Sequence, residues 1–285
     1  MGGHNGAGWL ADLAAHRPYG FRRLITTRRG KKVDSDKQEV LPGLLSRSTL
    51  QLLDDFGAGN ASPGSGSAAA LMGLLACKLI VTVCRKSLEK QSCQKDWTTL
   101  SHIRDQIEKD FEPELRRLFE KDAREFDKVV DLRRKRDATE NGQERANLAR
   151  ESNALLEEAT GNAFDIAVIC MKLIEHGISV FEGGWHAVRG DSGAAISVAV
   201  SGVMSGVFIA NLNIKTLKGR RYANANIDRC SEIYAELGKK QTRAFACVAS
   251  LNAEAMAAVQ LELIGTDDEA GGESSSENLP LGGAQ

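Results

Sequence analysis

The sequence predicts an all-α fold: one domain, a bundle of long helices around a central apolar helix. Three observations carry that prediction. Apolar residues recur at helical spacing through residues 47–264. No stretch alternates with period two for long enough to argue a strand. Only 5 prolines and 5% aromatic residues occur in 285, and long runs of Ala, Leu, Glu, Lys and Arg favour helix over sheet.

The elements follow in order. Ser48 to Asp55 reads as a first helix, capped by Ser46 or Ser48, with Leu50, Leu53 and Phe56 on one stripe. A Gly/Ser loop runs from Gly57 to Ser67. The second helix, Ser67 to Leu88, repeats Ala70, Leu71, Leu74, Leu75, Leu79 and Val83 at helical spacing. The third, Thr98 to Arg136, sets a charged side against Ile103, Ile107, Phe111, Leu115, Leu118 and Phe126, and Pro113 is expected to bend or interrupt it. The fourth, Gln143 to Ser179, has a candidate break at Gly161. The fifth and sixth run from Ser192 to Leu217 and from Tyr222 to Ile264.

The fifth segment carries no charge between Asp191 and Lys215. About 20 apolar residues is also the length of a membrane span. Its serines, Asn211 and Asn213 make it only moderately apolar, so it reads better as a helix surrounded by other helices, and no membrane partner is expected. Residues 1–46 read as a Gly-rich, then basic arm, either solvated or reaching an acidic partner or neighbouring subunit. Residues 265–285 hold too few apolar side chains to offset their ordering entropy and are expected to be disordered.

The charges nearly cancel, 37 Lys+Arg against 38 Asp+Glu, which argues against a nucleic-acid partner. The six cysteines form no C-x-x-C pair, and the five histidines show no ligand spacing, so no metal is expected. The first 20 residues lack the apolar core of a secretory signal. The reading is a cytoplasmic chain with reduced, buried thiols.

Three elements can carry chemistry. Ser62-Pro63-Gly64-Ser65-Gly66-Ser67 leads into the second helix, where free N–H groups offer a seat for a carboxylate or phosphate. The plain alternative is a tight turn with Ser67 as N-cap. No P-loop lysine follows, so a nucleotide is not expected. Asp191, at the entry of the apolar helix, is either its cap or a carboxylate able to orient or deprotonate water. Asp122 and Phe126 share one helix face. His176, His186 and Trp185 either line a groove or are ordinary loop and interface residues.

Taken together these residues resemble the cyclodeaminase/cyclohydrolase family. Ser62 to Leu71 is similar to its S-P-G-G-G-S-x-A-A-L signature, Leu50 to Phe56 to the short helix before it, and Asp122-Ala123-Arg124-Glu125-Phe126 to its D-A-x-A-F element. Asp191 to Ala195 resembles its S-D-x-x-x-A segment, and Asn213 falls near its late R-I-N element. The resemblance covers about residues 48–260 and implies a helical homodimer. It implies an enzyme of one-carbon tetrahydrofolate: a 5,10-methenyltetrahydrofolate cyclohydrolase or a formiminotetrahydrofolate cyclodeaminase, with no cofactor besides that substrate. It makes Asp191 and Asp122 the catalytic candidates. Pro63, Gly64, Ser65, Gly66, Ser67, Phe126, Asn211, Asn213 and Arg189 become folate-binding candidates, with Lys78, Arg85 and Arg189 as partners for the glutamate tail. The alternative is a protein of the same fold that binds a ligand, regulates or assembles without turnover. The chain departs from the pattern in several places. Ser65 replaces a middle glycine, which would be strained if that position needed φ > 0. Arg133 to Asp137 replaces a Leu-Pro-Lys element, Gly190 stands where Ser commonly precedes the Asp, and Asn211 where Arg is frequent. These departures mark a divergent member.

Overall fold

The structure, a computed structural model, describes residues 43–265, with side chains to residue 260. Most of the basic arm and the acidic tail lie outside the described residues. The helices are α1 (Thr49–Gly57), α2 (Ser65–Leu88), α3 (Trp97–Gln106), α4 (Glu112–Ala138), α5 (Gly142–Gly183), α6 (Arg189–Thr216) and α7 (Arg221–Gly265). No strand occurs among the described residues, as the periodicity predicts.

Local chemistry sets the helix starts. Ser48 and Gln51 cap α1 reciprocally: the Gln51 N–H donates to Ser48 Oγ at 3.3 Å, and the Ser48 N–H donates to Gln51 Oε1 at 3.1 Å. Asn141 Oδ1 accepts from the N–H groups of Gln143 and Glu144 at the start of α5, at 3.0 and 3.2 Å. Pro113 does interrupt the third predicted helix. A π-helical turn, Ile107–Phe111, separates α3 from α4. Proline has no N–H to offer the carbonyl four residues back and its ring crowds that carbonyl, and a widened turn relieves both. The break expected at Gly161 does not occur. Ala159, Thr160, Asn162 and Ala163 are all buried beside it, so packing holds α5 straight through a residue of poor propensity.

Glycine contacts give the helix directions. A Cβ on Gly66 would run into Asp122, and one on Gly73 would lie 2.9 Å from Leu115 Cδ1, so α4 runs antiparallel to α2. A Cβ on Gly73 would also lie 3.0 Å from Cys170 Sγ, and the Trp185 N–H donates to Ser87 Oγ at 2.8 Å, so α5 runs parallel to α2. Gly177 meets Ile196 and Gly206 meets Ala163 and Ala167, so α6 runs antiparallel to α5 and hence to α2. Small residues make these crossings close. A Cβ on Gly202 would lie 2.6 Å from Cys170 Sγ and 3.4 Å from the Ala69 carbonyl oxygen.

Both α2 and the His186–Thr216 helix are long and apolar enough to cross a membrane by length and composition. α2 is the more enclosed. Its Ala69, Ala70, Ala76, Cys77, Ile80 and Val83 are buried. α6 buries Ala195, Ala199, Val203 and Ala210 against its neighbours but leaves Met204, Phe208 and Leu212 exposed.

Candidate functional site

α2 begins at Ser65, two residues earlier than the sequence suggests. Gly64 is its N-cap position, with φ −120° and no side chain to cap with. Ser67 therefore sits inside the first turn and is not the cap. The missing cap comes from another helix. Asp122 of α4 lies over Gly66 and accepts from the Ser67 hydroxyl at 3.1 Å, and also from the Ser67 N–H. The Phe119 carbonyl lies 3.4 Å from the same hydroxyl. A carboxylate at a helix N-terminus satisfies orphan N–H groups and meets the positive end of the dipole.

This pair is deeply set. Ser67 is 0% and Asp122 8% exposed. Burial pushes the Asp122 pKa up, the Ser67 hydroxyl and N–H pull it back, and the nearby Glu125 carboxylate adds to the rise. Gly66 is the residue that makes room. A Cβ there would overlap the Asp122 carboxylate, which ties two distant motifs to one contact. Ser65 is exposed and helical, and no residue of the loop other than Gly59 has positive φ, so the Gly-to-Ser departure carries no backbone strain. Pro63 is buried behind a cis Ser62–Pro63 bond.

One turn along α4, Phe126 is half-buried on the Asp122 face. A polar network adjoins it. Lys121 Nζ donates to Asn162 Oδ1 at 3.0 Å, Asn162 Nδ2 donates to Glu125 Oε2 at 2.7 Å, and Lys121 pairs with Glu125 at 3.4 Å. Sequence reasoning passed over these three. Lys121 and Glu125 look like an ordinary i,i+4 surface pair; the available signal was Asn162, a polar residue inside an apolar run. The register of α6 on α2 places Asn211 and Asn213 at this same end. Asn211 is exposed and Asn213 half-buried, and the Asn211 amide is turned back onto the Val207 carbonyl at 3.0 Å.

Asp191 and Arg189 lie at the other end of the bundle. Asp191 is half-buried in the first turn of α6, whose cap position is Val188. Gly202 lies beside Ala69. Stepping from there to Asp191 and to Ser65 in opposite directions separates the two by about 22 Å at 1.5 Å per residue. Arg189 is already engaged. Its guanidinium donates to both Glu254 carboxylate oxygens, at 3.0 and 2.9 Å, and to the Phe181 carbonyl at 3.2 Å. Lys78 pairs with Glu112 and Arg85 with Glu108, each at 2.6 Å. His176 stacks on Phe111 and bonds to Gln106, His186 bonds to Arg189, and Trp185 lies under the Lys90 ammonium. A small cavity between α5 and α7, lined by Phe181, Glu182, Arg243, Ala246, Cys247 and Ser250, is also at that end. Among the described residues no cluster of His, Cys, Asp and Glu could hold a metal ion.

The chain therefore places the serine-glycine turn, Asp122, Phe126 and the two asparagines at one end of the bundle, and Asp191 and Arg189 at the other. Its chemistry at the first end is a buried carboxylate with a shared hydroxyl donor beside a polar network. That arrangement can hydrogen-bond a flat heterocycle and hold a proton.

Comparison with known proteins bears on the family and the fold. A model of the formiminotransferase-cyclodeaminase family matches residues 48–232, a span containing every residue named for the site. The methenyltetrahydrofolate cyclohydrolase of Methylorubrum extorquens is 25% identical over 198 residues, covering 70% of this chain and 94% of that protein. The crystal structure of formiminotetrahydrofolate cyclodeaminase from Thermotoga maritima shares the fold. Its TM-score is 0.63 at 17% identity, covering 73% of this chain and 98% of that one.

Proposed function

Because the chain belongs to the formiminotransferase-cyclodeaminase family, we propose that it is a one-carbon tetrahydrofolate enzyme, and that its reaction is hydrolysis of 5,10-methenyltetrahydrofolate to the 10-formyl compound. The sequence relative supports the hydrolytic reading, because it is a cyclohydrolase matched over nearly its whole length. Closure of 5-formiminotetrahydrofolate with release of ammonia is the second reading, supported by the name of the structural neighbour.

The observation that carries the proposal is the Ser67–Asp122 pair under Gly66. It makes two motifs of the family into one buried polar feature. In the proposed reaction the methenyl carbon bears an amidinium-like cation and is already electrophilic. The protein positions one water and takes its proton, after which the ring opens at one nitrogen. Asp122 accepts hydrogen bonds from the pterin amino and ring N–H groups. N–H groups around Gly64 to Ser67 hold a polar edge of the ligand, Phe126 packs on the ring, and Asn211 and Asn213 at the same end of the bundle offer it amide groups. Within one chain Asp191 lies about 22 Å from the turn by the rise per residue, so its carboxylate orients or deprotonates the water only as supplied by the second chain of the homodimer. Water forms the new C–O bond at the methenyl carbon, one C–N bond breaks as the ring opens, and one net proton is released, so no co-reactant besides water is required. The protein acts as a homodimer in the cytoplasm.

The test follows the loss of methenyltetrahydrofolate absorbance with purified protein. Wild type is expected to accelerate it, and Asp122→Asn and Asp191→Asn each to lose about 10²-fold or more, the usual worth of a positioned acid–base group. Turnover by Asp191→Asn equal to wild type removes Asp191 from the mechanism. Stabilisation by folinic acid without turnover would establish the ligand-binding alternative instead.

A further inference from the structure

The stripe of α4 that packs on α2 continues after α2 has ended. Leu115 meets Gly73, and Asp122 lies over Gly66 and Ser67 at the start of α2. α4 then runs on to Ala138. Arg133 stands about five full turns from Leu115 and so has the same bearing on the helix. It lies above the start of α2, on the line that α2 no longer occupies. Phe126, Val130 and Arg133 are each half-buried on this stretch, whereas Asp122 is buried. By the rise per residue, Phe126 is about 6 Å and Arg133 about 16 Å beyond Asp122. The stripe thus passes from a buried acid, through apolar side chains, to a guanidinium.

Arg133 forms no ion pair or hydrogen bond among the described residues. Asp137, one turn on, gives both carboxylate oxygens to Arg136, which donates at 2.8 and 3.0 Å, and Arg133 reaches it only as a more distant charge. The other cations of α4 are engaged or turned away. Lys121 pairs with Glu125 at 3.4 Å and Arg117 with Glu114 at 2.6 Å. Arg124, Lys128 and Arg134 are exposed and lie about 100° or more round the helix from Arg133. The three cations that the sequence suggests for a glutamate tail are also placed otherwise. Lys78 and Arg85 lie about 20 and 30 Å along α2 from Ser65, away from the turn, by the rise per residue, and both are ion-paired. Arg189 holds Glu254 at the far end of the bundle.

We infer that Arg133 is the anchor for the carboxylates of the folate's glutamyl tail. The folate lies lengthwise along the stripe, with its pterin at Asp122, its rings along Phe126 and Val130, and its tail at Arg133. The length of a folate matches that interval. A guanidinium suits this role because its parallel N–H groups match a carboxylate in bidentate fashion and its charge does not depend on pH in the working range. The residue belongs to this chain in particular, since Arg133 opens the segment that departs from the family pattern. The assignment rests on the folate reading. It makes Arg133 a binding residue that selects substrates by their tail and takes no part in the chemistry.

The test compares two substrates on the full chain: 5,10-methenyltetrahydrofolate and the methenyl derivative of tetrahydropteroate, which lacks the glutamate. Arg133→Gln is expected to raise KM for the folate about tenfold or more, the scale of a hydrogen bond to a charged group, with kcat within about twofold. Arg133→Lys keeps a point charge without the fork and should fall between the two. Arg134→Gln, one residue away and exposed, should match wild type. With the pteroate substrate all four proteins should share one KM, raised as in Arg133→Gln. An unchanged KM in Arg133→Gln, a loss carried by kcat, or a full penalty that persists without the glutamate overturns the assignment. So does a wild type that treats the two substrates alike, whatever the variants do. If the wild type binds folates without turnover, the dissociation constants of folinic acid and 5-formyltetrahydropteroate give the same comparison. A wild type that turns over and binds neither folate overturns the folate reading and the assignment together; an active wild type with an equally efficient Arg133→Gln overturns the assignment alone.

Discussion

Adding one methyl group at Gly66 tests the architecture of the candidate site. The new Cβ would overlap all three atoms of the Asp122 carboxylate group. That carboxylate has little room to retreat: Asp122 is 8% exposed, and Ser67 and Phe119 beside it are 0% exposed. Two costs then combine. Overpacking a tight contact costs about 1–3 kcal/mol. Moving Asp122 breaks its bonds from the Ser67 hydroxyl and N–H, and a hydrogen bond to a charged group contributes about 1.5–3 kcal/mol. Gly66→Ala is expected to destabilise by about 3 kcal/mol, and a body of this size loses about 2–4 °C of Tm per kcal/mol. The decisive assay is a double-mutant cycle in urea. Asp122→Ala removes the obstacle, so Gly66→Ala in that background should cost less than about 0.5 kcal/mol, leaving a coupling of about 2 kcal/mol or more. Additive losses, or a neutral Gly66→Ala, would refute the reasoning.

Further outcomes concern pH, thiols and the far end of the bundle. Burial holds the folded Asp122 pKa above its ordinary value, so folding binds its proton more tightly. The resulting stability is present below the usual aspartate range of about 3.9 and is lost as pH rises through the raised folded value. Relative to Asp122→Asn, the wild type should therefore melt highest at acid pH and lose that advantage on the way to neutrality; a relative gain with rising pH would contradict the assignment. Burial pushes the thiols of Cys84 and Cys170 up to about 12 and that of Cys77 higher still, so these three should react with an aromatic disulfide reagent only as the protein unfolds. Fast labelling of Cys170 in the folded protein would contradict its burial. Ser87, 0% exposed, accepts the Trp185 N–H where α5 ends, and Ser87→Ala should cost about 1–2 kcal/mol in urea unfolding for the donor left unpaired.

The helices were legible because their signals are local. Positions such as Ala70, Leu74 and Val83 mark a buried face whatever lies against it, although Leu75 of the same stripe is exposed, and Pro113 acts on its own turn. Errors appeared where packing outweighed a local rule. Gly161 stays helical because its neighbours are buried, and Ser67 is not a cap because Asp122, 55 residues away in sequence, takes that role. The site was half legible for the same reason. Composition and periodicity do not link Gly66 to Asp122; the family pattern names both, and the structure gives the contact that joins them. The separation of Asp191 from that contact depends on α6 running antiparallel to α2, and helical periodicity contains no direction.

The same contact sorts the departures in the serine-glycine turn. Three successive positions, Gly64, Ser65 and Gly66, stand where the family commonly has glycine, yet they face different demands. Gly64 has extended backbone, and a Cβ there would meet only the Ala61 carbonyl oxygen at 3.2 Å. Ser65 is the first residue of α2 and points to solvent without positive φ. Gly66 alone lies under the carboxylate. A serine at residue 65 is therefore compatible with an intact site, and the divergence of this chain there says nothing against activity. Ser65→Gly should cost less than about 1 kcal/mol, the scale of helix propensity alone, and should leave the coupling between residues 66 and 122 unchanged. A loss comparable to that of Gly66→Ala would mean that the Ser65 side chain makes a contact within the site, and the three positions would then have to be treated as one unit.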